Sequence, residues 1–168
     1  MYKEKLDNID KCLFPDFIKI MIFDSLVGET DRHEENWGIT KEKEHYSISP
    51  LYDNGCSLLN KFKNENYANK YYNNEESFEA YIRKSQTYIY NDKKKYKHFE
   101  LIQDLKKLYP KYVNPELIHL KKLTDEKIEE VVYRIPDDLL TAKHKEYIIQ
   151  YLKKRRDILV MEIGEGLE

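Results

Sequence analysis

Between residues 75 and 163, apolar side chains recur at spacings of three and four in successive segments, several of them bounded by prolines or N-cap residues. A period near 3.6 places such positions on one face, so this pattern admits helices and little else. EESFEAYIRK presents Phe78, Tyr81 and Ile82, and KHFELIQDLKKLY presents Phe99, Ile102, Leu105 and Tyr109. Pro110 is read as the stop of that helix and Asn114-Pro115 as the start of the next. Thr124 is expected to cap TDEKIEEVVYRI, with Ile128, Val131, Val132 and Ile135 inward and Pro136 ending it. Thr141 is expected to cap the longest helix, whose apolar positions include Ile148, Leu152 and Leu159.

An earlier helix covers residues 14–27, FPDFIKIMIFDSLV, where Phe14, Phe17, Ile18, Met21, Ile22 and Leu26 form one apolar stripe. Pro15 suits its first turn and Gly28 its end. Between the two helical regions the period changes. Trp37 and Ile39, then Tyr46 and Ile48, alternate with polar residues, which reads as a hairpin of WGIT against YSIS closed by Ser49-Pro50. Residues 60–74, NKFKNENYANKYYNN, read as an exposed loop. The expected fold class is mainly α with one small β-hairpin.

The 168 residues suffice for one domain with a real core. Twenty-nine basic and 31 acidic residues give a net charge of −2, which argues against a bulk nucleic-acid binder. Local runs such as Lys93-Lys94-Lys95 and Lys153-Lys154-Arg155-Arg156 read as solvated faces. Cys12 and Cys56 show no metal-ligand spacing and no disulfide framework, so a reducing cytoplasm is expected. No apolar run reaches membrane-spanning length, and MYKEKLDNID lacks the apolar stretch of a signal peptide. Neither a membrane nor direct contact with nucleic acid is expected.

One stretch stands apart: GETDRHEENWGIT, residues 28–40, which ends in the only tryptophan of the chain. Asp31 and Asn36 lie five residues apart, and Asp53 follows in an Asp-Asn-Gly turn beyond the hairpin. A hairpin brings its two flanking segments together, so Asp31, Asn36 and Asp53 can face one point. Two carboxylates and a carboxamide are hard oxygen ligands of the kind Mg²⁺ takes alongside phosphates and water. Protein kinases place the same groups in this order: an Asp that orients the substrate hydroxyl, an Asn five residues on, and an Asp before x-Gly that holds metal. Eukaryotic kinases read His-Arg-Asp, whereas this chain reads Asp-Arg-His. Arg32 is expected to pair with an acidic group, Trp37 to anchor the loop, and Gly55 to supply a positive φ in the turn. Asp24 is either an acceptor for the loop or a surface residue.

FDSLVGETDRHEENWGI followed by ISPLYDNGCSLL resembles the C-terminal domain of HipA-family proteins, serine/threonine kinases of bacterial toxin–antitoxin systems. The DRH-x-x-N element is also similar to that of phosphoinositide kinases. The resemblance covers essentially the whole chain, with specific motifs near its N-terminus and a diffuse tail. It implies one kinase-lobe domain over 1–168: catalytic loop 28–37, hairpin 37–49, metal-binding turn 51–57 and helical bundle 75–163. It implies Asp31 as the catalytic aspartate, His33 as a loop-orienting or proton-sharing residue, though His33 reads equally as a histidine hydrogen-bonded to backbone, and Asn36 and Asp53 as holders of Mg²⁺ and ATP. Glu29 stands where the family often has a small amide or alanine. The five glycines form no glycine-rich loop, and the residues before Asp31 leave no room for an N-terminal β lobe with its lysine. The implied function is the C-terminal lobe of a kinase that moves the ATP γ-phosphate to a protein hydroxyl once an N-terminal lobe is supplied. Two alternatives stay open: an inactive kinase-like module that binds a helix-turn-helix antitoxin or regulator, and a lipid-kinase-like phosphotransferase.

Overall fold

The computed structural model describes residues 13–43, 45–63 and 65–167. The first helix, α1 (Phe14–Val27), opens on proline in its first turn and closes on Gly28 at φ 70, whose N–H returns to the Asp24 carbonyl. Side chains around most of its circumference are buried, Ile20 and Val27 among them, because α4, α5 and α7 all pack on it. The single stripe expected from the sequence is therefore too narrow. A helix enclosed by three others must be apolar nearly all round.

The hairpin lies two residues beyond its expected start, as β1 (Ile39–Glu42) against β2 (His45–Ile48), with Ile39 opposite Ile48. Residues 60–74 are not a loop. A 3₁₀ turn (Asn60–Lys63) leads into α2 (Glu65–Tyr72), and Phe62 and Ala68 are buried in the main core. After α3 (Glu75–Lys84), capped by the Asn74 side chain, the chain forms a second antiparallel hairpin, β3 (Gln86–Asn91) with β4 (Lys94–Lys97). The one expected hairpin is thus two. The sequence signal of the second is masked by its run of lysines, tolerated because those strands are mostly at the surface.

The remaining helices are α4 (His98–Leu108), α5 (Pro110–Leu120), α6 (Asp125–Tyr133) and α7 (Ala142–Asp157), the last continuing into a π-helical turn over Ile158–Ile163. Pro110 begins α5 rather than merely stopping α4, and Pro115 lies inside α5. Pro115 and Lys111, whose helical hydrogen bond it removes, are both exposed, so water can satisfy the freed carbonyl. Thr124 and Thr141 cap as expected, accepting from the N–H groups of Lys127 and His144. Val131, expected inward, is 60% exposed. It lies on the outer side of α6, whose Ile128 and Val132 join Ile148 and Ile149 of α7 in a small second core.

The main core joins α1, α3, α4, α5, α7 and the π turn, with Ile18, Ile82, Leu101, Ile102, Leu105 and Leu159 fully enclosed. Each such side chain contributes about 1.5–3 kcal/mol by leaving water. This core fixes the C-terminal end of α1, where the charged loop begins. Among the described residues, no helix is long and apolar enough to cross a membrane.

Candidate active site

The site is organised around Arg32, a buried guanidinium at the base of the first hairpin. Its Nε and NH2 donate to the Asp24 carboxylate near the end of α1, with a shortest distance of 3.0 Å. Its NH1 donates to the carbonyls of Asn36 and Tyr52, each at 2.9 Å, and NH2 also reaches Asn54 Oδ1. A planar fork with five N–H donors is the side chain suited to such a junction. Residues 36 and 52–54 flank the two ends of the first hairpin, so one side chain ties α1, the loop and the turn together. Burial pushes the Asp24 carboxyl up to about 6, opposed by its hydrogen bonds and attraction to Arg32. The expected acidic partner for Arg32 is present, and of the two readings left open for Asp24 the structure shows the loop acceptor rather than the surface residue.

Asp31 and Asp53 differ in setting. Asp31 is half-buried, its N–H donating to Glu29 Oε1 at 2.8 Å. Asp53 is exposed on the turn at φ 51. Neither carboxylate has a hydrogen-bond or ion-pair partner among the described residues. Asn36 is buried, and its Nδ2 donates to the Asp31 carbonyl at 2.8 Å, which fixes the amide and leaves Oδ1 as the free oxygen. His33 is half-buried. Its Nδ1 accepts from the Glu35 N–H at 3.2 Å, and its ring meets Tyr88 of β3 edge-on at 5.5 Å. Trp37 packs on the core with its ring 5.7 Å from Phe17, the anchoring role expected of it. The turn's positive φ belongs to Asp53, not Gly55. Aspartate tolerates the left-handed region better than most residues, so the turn does not need its glycine there.

Glu29 faces inward, 1% exposed. Its Oε2 has no partner, and burial raises the pKa of its carboxyl. Its backbone carbonyl accepts from His98 Nε2 at 2.7 Å. Because that nitrogen must carry the proton, Nδ1 accepts from the Ser85 hydroxyl at 2.6 Å, and Ser85 Oγ in turn accepts from Arg155 NH1 at 3.0 Å. Burial first and Arg155 second push the His98 pKa down to about 3, so the ring is neutral. Arg155 lies between Phe99 and Tyr151, and its Nε donates to the Ser25 carbonyl at 2.7 Å. The result is a hydrogen-bonded chain from α7 through α3 and α4 to the loop. Nothing in the sequence signals it, because its links span 13, 69 and 70 positions. Gly28 completes the fit, since a Cβ there would stand 1.8 Å from the Tyr151 hydroxyl.

A cavity of about 640 Å³ opens beside the loop, between Gly28 and Thr30, the segment from Cys56 to Lys61, α3 and β4. Among the described residues no three His, Cys, Asp or Glu side chains gather as a metal cluster. The donor set at the loop and turn is instead two unpartnered carboxylates and one oriented amide. That set fits Mg²⁺, which takes few protein ligands and completes its octahedron with phosphate and water oxygens.

This fold has a counterpart among solved structures. The crystal structure of a Helicobacter pylori proinflammatory kinase, CtkA, is similar to this chain with a TM-score of 0.78 and 22% identity. The match covers 95% of this chain and 61% of that one, so the chain spans about three fifths of the kinase's length. The likeness shows a kinase-like fold, mostly helical with two small antiparallel hairpins. No family model matches the sequence, and no curated protein does either.

Proposed function

We propose that this chain is the C-terminal lobe of a HipA-like serine/threonine protein kinase. The observation that carries the reading is the Arg32 junction, which joins loop and turn while leaving the Asp31 and Asp53 carboxylates without partners among the described residues. Asp31 would accept the proton of the attacking hydroxyl, and Asn36 Oδ1 and Asp53 are the groups that would hold Mg²⁺ when ATP is bound. When bound, Mg²⁺ neutralises charge on the transferring phosphoryl group. Tyr88 and the Glu35 N–H fix the orientation of the His33 ring. A lobe with a glycine-rich loop and a strand lysine, upstream or on a partner chain, completes the nucleotide site. The likeness to a longer kinase supports that division, and the loop and turn motifs support the HipA-like assignment.

Calorimetric titration of Mg·ATP into the chain, alone and joined to such a lobe, tests this reading. Binding in the completed protein, abolished by Asp53→Ala and spared by Asp31→Ala, is expected. Asp31→Ala should remove turnover, because Asp31 acts on the hydroxyl rather than on the nucleotide. Absence of Mg·ATP binding in every pairing, or its survival in Asp53→Ala, would overturn it.

A further inference from the structure

The cavity beside the catalytic loop is unusual in charge. Three lysines line it from three separate elements: Lys61 in the 3₁₀ turn, Lys84 in the last turn of α3 and Lys95 on β4. Its described lining holds no carboxylate, in a chain whose acidic residues outnumber its basic ones. Elsewhere Lys19, Lys97, Lys107, Lys145, Lys153 and Lys154 sit within 3.5 Å of a carboxylate, while Lys41, Lys94, Lys111, Lys122 and others form no ion pair among the described residues, so it is the gathering of three lysines in one concavity that sets the cavity apart. Lys61, Lys84 and Lys95 form no ion pair among the described residues. Lys95 rests instead over the Tyr88 ring at 4.5 Å, the ring that also touches His33. Like charges around one concavity repel each other unless a ligand neutralises them, and a concave wall focuses their field outward.

The cavity adjoins Asp31 without including the metal-binding groups. The Thr30 hydroxyl donates to the Cys56 carbonyl at 3.4 Å, tying the loop to the cavity wall. The Cys56 thiol has its pKa raised by burial and also by the charges of Glu29, Asp31 and Asp53, so these carboxylates lie close to that wall. Asn36 and Asp53 do not line the cavity. In phosphoryl transfer the attacking and leaving oxygens lie roughly in line on opposite sides of phosphorus. An acceptor therefore approaches from a side other than the nucleotide's, and this cavity supplies one.

We propose that the cavity is an acceptor-peptide subsite that selects acidic sequence, with carboxylates flanking the acceptor hydroxyl paired to Lys61, Lys84 and Lys95. Its position as an acceptor site rests on the kinase reading above, whereas its preference for acidic peptide does not. The volume falls within the roughly 300–1,000 Å³ of ordinary ligand pockets, enough for a short peptide segment.

Fluorescence anisotropy with a labelled peptide carrying one serine among glutamates, against the same peptide with glutamines, tests the subsite without any nucleotide. The glutamate peptide is expected to bind at least about tenfold tighter, with the preference shrinking as salt rises. Joint replacement Lys61→Gln, Lys84→Gln and Lys95→Gln should remove that preference while thermal unfolding stays cooperative. The equal-charge control Lys19→Gln, Lys107→Gln and Lys111→Gln should keep it. Equal binding of the two peptides, or equal loss in the control, would overturn the proposal. Tighter capture of inorganic tripolyphosphate than of peptide, lost with the same three lysines, would overturn it in favour of a phosphate site. An intact acidic preference in a protein that binds no Mg·ATP in any pairing would overturn the kinase reading and keep the subsite.

Discussion

The two hairpins of this chain are alike in size and polarity and opposite in their attachment. Nearly every residue of β1 and β2 is exposed, and the pair is held at its base, where Arg32 grips the carbonyls of Asn36 and Tyr52. The pair β3–β4 is held at its inner end and by one ring, with its tip exposed. Thr87 is buried, Tyr88 meets His33, Lys95 covers Tyr88, and the chain runs directly into the buried His98. A short polar hairpin has little stability of its own. What each contributes to the site is set by where it is pinned: the first delivers the turn with Asp53 through one guanidinium, and the second braces the charged loop from the side.

The strongest way to break this contrast is at the base of the first hairpin. Arg32→Ala leaves the Asp24 carboxylate buried and unpaired, and should cost about 3–5 kcal/mol in urea unfolding. Arg32→Lys cannot span the same four partners and should recover only part of that. Next comes the brace of the second. His98→Ala opens a void and strands the Glu29 carbonyl and the Ser85 hydroxyl, at a cost of about 2–4 kcal/mol.

His98 also sets a pH dependence. Its folded pKa, about 3, lies below the free value of 6.5, so the unfolded chain binds the proton first. Its contribution is fully present above pH 6.5 and is lost as pH falls toward 3. Asp24 acts in the opposite sense. Its folded pKa of about 6 exceeds the free 3.8, so its contribution falls as pH rises through that window. The loss of stability on acidification, followed by urea unfolding across this range, should therefore shrink in His98→Ala.

The finest contrast is between two tyrosines, one from each hairpin. Tyr88→Ala should cost about 1 kcal/mol through the lost ring contacts, and should increase exchange of the amides around His33. Tyr46→Ala, on an exposed strand, should stay within about 0.5 kcal/mol of the parent. Equal effects on stability and on loop exchange would mean that the second hairpin is no brace.

Much of this was legible in the sequence where signal and contact are local. Gly28 after FPDFIKIMIFDSLV, Thr124 and Thr141 as caps, and the Asp31–Asn36 spacing are all read within a few residues. The hairpin QTYIYNDKKKYK was not, because its lysines hide a strand whose inward positions are few. The helix over Glu65–Tyr72 was missed for a similar reason: its Asn and Lys content suggests a loop, while Tyr71 and Tyr72 carry its packing. The brace of Glu29, Ser85, His98 and Arg155 had no signal at all, since single polar residues separated by 13 to 70 positions show nothing until the helices pack. Arg32 was half legible. Its acidic partner could be expected, but not that its remaining donors would reach both ends of a hairpin.

The central claim is that Arg32 makes the loop and the turn one metal-binding half-site. Paramagnetic broadening in a ¹⁵N-labelled chain tests it directly, with Mn²⁺ and ATP as the probe, because it registers even weak binding. The account predicts that amides near Asn36 and Asp53 broaden together, and that Arg32→Ala, kept under conditions where it is folded, uncouples or abolishes both. Broadening confined to acidic surface positions such as Glu75 or Asp138, with both segments untouched, would contradict it.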